Sequence, residues 1–374
     1  MFILVTGANS QIGMCLKDLY EINKEQLQDE YVFCTHKELD ITNPEQIQEV
    51  FEKTMPDVVI NCAAYTNVDG AEDDFLTCNK INCFGVENLL EACKKHNAFL
   101  ITFSSDYVYE EPFEISYETL VNSYSSISND TKHKFNEIIK DKCATYKDKE
   151  IDYDPWAQPW EEDSFENRVI KANTFSTLGL EMYGLKESSN IKPKSKYALS
   201  KYLMETICRQ EKGNMVIRTS WLYSQYGKNF MKTIVKKLKN NEDLTVVDDQ
   251  FGRPTNANDL AQFVMFAIIA NRQYDLNDEC EIINFQNDGA PTSWYGFAQE
   301  IKRIMNDYLC EKNYQFYSQS NIIPCLTDKT KYKADRPYFS VMDIHKAGRL
   351  MHIPWWKRSL EQQMKYTYII KRES

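Results

Sequence analysis

The chain has 374 residues, enough for one large domain or two modest ones, and its 43% hydrophobic content supplies a real core. A formal charge of −11, from 44 basic and 55 acidic residues, argues against a protein built to bind nucleic acid or anionic lipid. Eleven cysteines without a CxxC pair, no N-terminal signal pattern and no apolar run near ~18 residues lead us to expect reduced thiols in a cytoplasmic protein that does not span a membrane.

Phe2-Ile3-Leu4-Val5 reads as a strand, Thr6 to Gly13 as a tight turn, and Met14, Leu16 and Leu19 as the apolar side of a helix. A strand–glycine turn–helix unit can cradle a pyrophosphate on backbone N–H groups, here those around Gly7, Ser10, Gln11, Ile12 and Gly13. The usual middle glycine is Ser10. A plain strand–helix turn is the competing reading.

Tyr31 to Cys34 is the second strand, and Thr35-His36-Lys37 follows where a dinucleotide-binding fold meets the adenosine ribose. An acid there would suit a ribose hydroxyl; His36 and Lys37 lean toward a 2′-phosphate, hence NADPH with NADH still open. Solvated loop residues are the alternative. Asp40 and Ile41, also counted with the cofactor site, lead into a helix capped by Asn43 with Pro44 at its first position. Asp57 to Asn61 is a continuously apolar, hence buried, strand. Ala63, Ala64 and Tyr65 follow at its carboxyl end, where a cofactor approaches the backbone. Residues 71–96 are expected as one helix, and Phe99 to Phe103 as a strand running into Ser104-Ser105-Asp106-Tyr107-Val108-Tyr109.

Residues 110–182 break the pattern. The stretch is rich in Ser, Asp, Glu and Lys, yet holds Trp156, Trp160 and a short helical pattern at Phe135 to Ile139. It reads as an insertion of unknown role. A lid, a surface for a homo-oligomer or protein partner, and an inert addition all remain open.

Lys194 to Lys201 opens the next helix after Pro193. Tyr197 and Lys201 stand four apart and so share a face, phenol beside ammonium. A neighbouring cation would lower the phenol's pKa from about 10 and equip it to protonate an alkoxide. Tyr20/Lys24 and Tyr308/Lys312 have the same spacing, so the pair alone does not decide. A hydroxyl at Ser105 would hold a substrate carbonyl near Tyr197. Downstream lie a strand at Asn214 to Arg218 and an amphipathic helix at Phe230 to Asn240. A strand at Leu244 to Val247 follows, then a helix at 256–270 capped by Asn258, with Leu260, Ala261, Val264 and Ile268 on one side. Ile282 to Ile304 gives strand, loop, helix. No His/Cys/carboxylate cluster has metal-ligand spacing.

Several segments together resemble the extended short-chain dehydrogenase/reductases, and within them the dTDP-4-dehydrorhamnose reductase family. They are Val5-Thr6-Gly7 to Gly13, Asn61 to Asp69, Ser104 to Tyr109, Tyr197 to Lys201, Arg218 to Tyr223, Gly227 to Phe230, Val247 to Thr255 and Ala334 to Pro337. Their joint order is far more specific than any one motif. The resemblance implies an α/β fold: a Rossmann-like doubly wound parallel sheet with a small C-terminal substrate-binding lobe. Residues 1–109 and 183–225 would form the cofactor domain, and 226–374 a substrate-side lobe interleaved with the last sheet elements. It implies NAD(P)H-dependent reduction of the 4-keto group of a 4-keto-6-deoxy sugar nucleotide, with Ser105, Tyr197 and Lys201 catalytic. Tyr197 and Lys201 would also touch the cofactor, while Asp106, Trp221 and Arg336 would contact the nucleotide sugar. The resemblance also takes in the NADP-binding regulatory β subunit of methionine adenosyltransferase, which leaves a non-catalytic partner protein as the alternative.

Overall fold

The structure is a computed structural model that describes residues 1–110, 184–274, 279–311 and 319–368. The insertion expected at 110–182, apart from Glu110, lies outside the described residues, and so do Trp156, Trp160 and the helical pattern at Phe135 to Ile139.

Chain order runs β1 (Phe2–Thr6), α1 (Gln11–Asn23), β2 (Glu30–Phe33), α2 (Pro44–Thr54) and β3 (Val58–Asn61). Then come α3 (Val68–Asp73), α4 (Phe75–Asn79), a π-turn (Lys80–Phe84), α5 (Gly85–His96) and β4 (Phe99–Ser105). The expected single helix at 71–96 is therefore a correction: it starts earlier and is broken. Asp74 ends α3 and caps α4 by accepting from Thr77 N at 3.0 Å. An Asx cap competes with helical continuation, and the apolar periodicity running through it hid the break.

After the insertion come α6 (Lys196–Cys208), β5 (Asn214–Thr219), β6 (Leu222–Tyr223) and α7 (Phe230–Lys239). The short strands β7 (Leu244–Val247), β8 (Phe251–Gly252) and β9 (Thr255–Asn256) lead to α8 (Ala257–Tyr274) and β10 (Cys280–Asn284). β11 (Thr292–Ser293), α9 (Trp294–Glu311), β12 (Ile322–Cys325), α10 (His345–Gly348) and α11 (Trp356–Tyr368) complete the described chain. α8 is capped by Asn256, whose Oδ1 accepts from Asn258 N at 3.0 Å. The cap expected at Asn258 is two residues off: Asn258 already lies in the first turn of the helix, and its Nδ2 donates to Gln225 and Gln363.

Six parallel strands form the central sheet in the order β10-β5-β4-β3-β1-β2. From β1 the chain moves outward to β2, then crosses back to β3 on the other side of β1. That reversal makes the carboxyl ends of β1 and β3 the switch point, where open α/β sheets take their ligands. Strand period sorts the side chains. Ile3 and Val5 face one core with Leu16, Leu260, Ala261 and Val264, while Leu4 faces another with Val59, Leu100, Val216 and Met204. Both faces of β3, β4 and β5 are buried, as a parallel sheet requires. A third core, around Leu238, Phe297, Ile301 and Leu360, joins α7, α9 and α11 near the parallel β7–β12 pair. All described cysteines are unpaired, and no described helix is long and apolar enough to cross a membrane.

One buried ion pair ties α6 to the sheet. Arg218 on β5 donates Nε to Glu205 Oε1 at 2.8 Å and Nη2 to Oε2 at 2.6 Å, and both side chains are fully buried. The guanidinium also stacks over Tyr109, 4.6 Å from its centroid. Removing one partner leaves an uncompensated charge in the interior, which costs about 3–5 kcal/mol. Glu205→Ala is therefore expected to lower the urea midpoint by that much stability; a midpoint within about 1 kcal/mol of wild type would show the pair is not holding α6.

Candidate active site

α6 presents Tyr197, Ser200, Lys201, Met204, Glu205 and Cys208 to the interior. Their spacing of three and four is one helical face. Ser195 caps the helix, accepting from Ala198 N at 3.2 Å, and Glu72 on α3 accepts from Lys196 N at 2.7 Å. Lys201 is 5% exposed, and its Nζ donates to Phe103 O on β4 at 2.9 Å. Burial disfavours its charged form and brings its pKa down to about 8. The other described Tyr/Lys pair differs: Lys24 bonds Glu21 on the surface and Tyr20 packs on Tyr31.

Tyr197 sits edge-on to Tyr107 with ring centroids 5.7 Å apart. The expectation that Lys201 lowers the pKa of Tyr197 needs correction. Burial raises it well above the ordinary phenol value, and Asp106 and Tyr107 add to the rise. Ser105 is the neighbour that eases the phenol's ionisation. The Lys201 ammonium is spent on Phe103 O, so desolvation wins. Tyr197 keeps its proton at neutrality, the form in which it can act as an acid.

Asn82, which the sequence singled out no role for, knits this corner. It lies in the π-turn, where one extra residue per turn redirects side chains. Its Oδ1 accepts from Tyr65 N at 2.9 Å, and its Nδ2 donates to Tyr65 O at 3.1 Å and Ser200 Oγ at 3.0 Å. The loop after β3 is thereby fixed to α6.

Gly7 has φ +60, and a Cβ there would meet Ala63 N at 2.4 Å. A Cβ on Gly13 would meet Gly7 O at 2.7 Å. Glycine is thus demanded at both outer positions. Ser10 replaces the middle one by capping α1, its Oγ accepting from Gly13 N at 3.1 Å. The N–H groups of Gln11 and Ile12 have no acceptor among the described residues, as expected of a helix start. The Gln11 side chain turns away to Ser224 and Asn229, and that of Ile12 is core. Ala63 lies beside Gly7, and Ala64 follows it with an exposed side chain. Lys37 is exposed and has no ion-pair partner among the described residues. Asp40 and Ile41 are less available. The Asp40 carboxylate accepts from Thr42 N and Oγ, both at 2.9 Å, and Ile41 packs under Gly85 while its carbonyl accepts from Asn88.

Of the residues expected at a sugar nucleotide, Asp106 is held inside the protein. It is 4% exposed, and its two oxygens accept from Ser105 Oγ at 2.8 Å and Ser340 Oγ at 2.5 Å. Both oxygens are engaged within the protein. Trp221 has φ +50, a conformation unfavourable to a bulky residue. It is held by stacking on Trp294 at 3.7 Å and by Gly252, where a Cβ would come within 2.8 Å of its ring. Trp294 gave no sequence signal. Arg336 pairs with Asp69 at 2.5 Å and lies over Tyr332, and its buried Nη1 has no hydrogen-bond partner among the described residues. Arg336 lines a small crevice with Tyr107, Tyr109, Ser195 and Pro337, next to the start of α6.

The family model described as RmlD substrate binding domain matches residues 1–146 and 179–369. A dTDP-4-dehydrorhamnose reductase of Aggregatibacter actinomycetemcomitans is 27% identical over 366 residues, 97% of this chain and 98% of the relative. A spore coat polysaccharide biosynthesis protein of Bacillus subtilis is 25% identical, covering 97% of this chain and 96% of its own. Among solved structures, a dTDP-4-dehydrorhamnose reductase of Bacillus anthracis in complex with NADP superposes with a TM-score of 0.68 at 26% identity. That match covers 98% of this chain and 99% of the other.

Lys201 yields a test independent of any ligand. The unfolded chain keeps the ammonium proton up to about 10.5, whereas the folded protein releases it near 8. Folding therefore carries a charging cost that is full below pH 8 and fades as pH rises toward 10.5. Lys201→Met, of similar shape and no charge, is expected to melt a few degrees above wild type at neutral pH, with the gap closing as pH rises through that window. Calorimetric scans across pH check it: a gap that stays constant, or a variant that melts lower, would show that the buried charge costs nothing.

Proposed function

The chain belongs to the RmlD substrate binding domain family, and on that premise we propose that it is an NADPH-dependent reductase acting on the 4-keto group of a 4-keto-6-deoxy sugar nucleotide. The observation that carries the reading is one buried corner: Tyr197 and Lys201 on a single face of α6, against the Ser105 end of β4. The NADP complex of the Bacillus anthracis relative supports the cofactor, and the dTDP-4-dehydrorhamnose reductases support the substrate class.

The residues present fit such a cofactor. The tight Gly7–Gly13 turn lets a pyrophosphate approach the open N–H groups of Gln11 and Ile12. Ala63 and Ala64 leave room above β3, and Lys37 offers an uncommitted cation for a 2′-phosphate. When bound, the dinucleotide supplies hydride. Tyr197 holds a proton that its burial keeps in place until an oxyanion forms beside it, then gives it up to that oxygen. Lys201 fixes the helix against Phe103 and so holds Tyr197, one turn earlier, in place. Trp221, braced by Trp294, would offer a flat apolar wall to the sugar, and Arg336 would meet the diphosphate. The intact Ser105, Tyr197 and Lys201 favour this enzyme over the regulatory-subunit alternative.

The decisive experiment is cofactor oxidation against a panel of 4-keto sugar nucleotides, with NADPH and with NADH. Tyr197→Phe is expected to fold and bind NADPH normally while kcat falls about 10²–10⁴-fold; full activity in that variant would remove Tyr197 as the acid. Lys37→Glu is expected to weaken NADPH binding about 10- to 100-fold and leave NADH nearly untouched. Equal losses for both cofactors would place Lys37 away from the 2′-phosphate.

A further inference from the structure

Ser105 has one proton, and Asp106, the Tyr197 phenol and a substrate carbonyl all compete for it. In the structure its Oγ–H is donated to Asp106 Oδ1 at 2.8 Å, while its lone pairs face the Tyr107 N–H at 3.3 Å. A hydroxyl that donates to a carboxylate cannot donate the same hydrogen to a substrate carbonyl. Yet a carbonyl that gains hydride becomes an oxyanion, and donated hydrogen is what stabilises it. The charge on Asp106 decides which use prevails.

We propose that Asp106 is a positioning residue that serves the reduction as a neutral acid: protonated, it leaves the Ser105 O–H free for the carbonyl oxygen; ionised, it keeps that hydrogen for itself. The proposal rests on the reductase reading above. Asp106 passes no proton to the substrate, since Tyr197 supplies that one. Three observations bring the neutral form within reach. Asp106 is 4% exposed, so burial works against its charge and its pKa rises to about 6. No cation offsets this: what favours its charged form is the Ser340 hydroxyl from the segment after Arg336, then Ser105 and the backbone N–H groups of its own turn. The titratable groups that face it are the phenols of Tyr107 and of Tyr197 on α6, and Asp106 makes both harder to ionise. Arg336 acts on Tyr107. A carboxylate here would also repel the oxyanion forming beside Tyr197.

The test follows kcat and KM from about pH 5 to about pH 9 in wild type, Asp106→Asn and Ser340→Ala. Wild-type kcat is expected to fall at least about tenfold as pH rises through the Asp106 titration. Asp106→Asn, uncharged throughout, should lose that limb and stay within about threefold of the wild-type acid plateau. Ser340→Ala removes a donor that favours the carboxylate and should move the limb to higher pH. Loss of more than about tenfold in Asp106→Asn at every pH, a wild-type limb in that variant, or a raised KM at unchanged kcat would each overturn the proposal. If Asp106→Asn does not fold, an unmoved limb in Ser340→Ala overturns it alone. A readout without turnover uses protein labelled with carboxyl-¹³C aspartate. The Asp106 midpoint should rise in Ser105→Ala; a midpoint that stays put would show that the Ser105 hydrogen is not on Asp106. Absence of turnover by wild type with every keto sugar would count against the reductase reading, while the ¹³C comparison still locates the hydrogen.

Discussion

A charged amine buried against a strand is the constraint from which the rest of the site follows. Lys201 gives up water for a single carbonyl, Phe103 O, and pays with a pKa near 8. Four residues on either side of it, the same helical face carries Tyr197 and Glu205. Glu205 is locked to Arg218 on β5, and Lys201 to β4. Two anchors on adjacent strands leave α6 no freedom to slide or roll. Tyr197 is then delivered to the end of β4, where the strand turns through Ser105 and Asp106. The ion pair and the buried amine are costly to hold, and their return is placement, which is what a reaction driven by a bound cofactor asks of its protein.

The sheet and the glycine turn were legible because their causes are local. Continuous apolar runs at Val58 to Asn61 and Phe99 to Phe103 admit only two-sided burial, and Gly7 and Gly13 stand where any side chain would strike backbone. Tyr197 and Lys201 were legible as a pair, but Tyr20 and Lys24 looked the same on paper. The difference lies in surroundings: Lys24 finds Glu21 in solvent, and among the described residues Lys201 finds only Phe103 O. Asn82 and Trp294 carried no such signal. Asn82 is aimed by a π-turn that periodicity cannot reveal, and the partner of Trp221 comes from a helix that starts 73 residues later, an offset fixed by topology alone.

The direction of the phenol's shift was misjudged, and the carboxylate's went unread, for one reason. Reading along a helix counts neighbours of like spacing and leaves out the wall the helix is pressed against. Once Tyr197 and Asp106 are both enclosed, desolvation outweighs any single partner and raises both pKa values. Asp106 meets Ser340, 234 residues away in sequence, so nothing near it announces that its oxygens are occupied.

Arg336 shows how the C-terminal segment joins this corner. One carboxylate, Asp69 on α3, accepts from the N–H groups of Lys333 and Ala334 through Oδ1, both at 3.1 Å, and from Arg336 through Oδ2. That single group fixes both the path of the segment and the pose of the guanidinium. It uses one nitrogen of a fork built for two, and among the described residues Nη1 is left buried without a hydrogen-bond partner. An enclosed donor with no acceptor is a standing cost. It is relieved if an anionic oxygen enters beside it, with no need to break the Asp69 pair, because the two nitrogens are separate. Under the proposed reading that oxygen would belong to the diphosphate, and the guanidinium's orientation would be set before the ligand arrives.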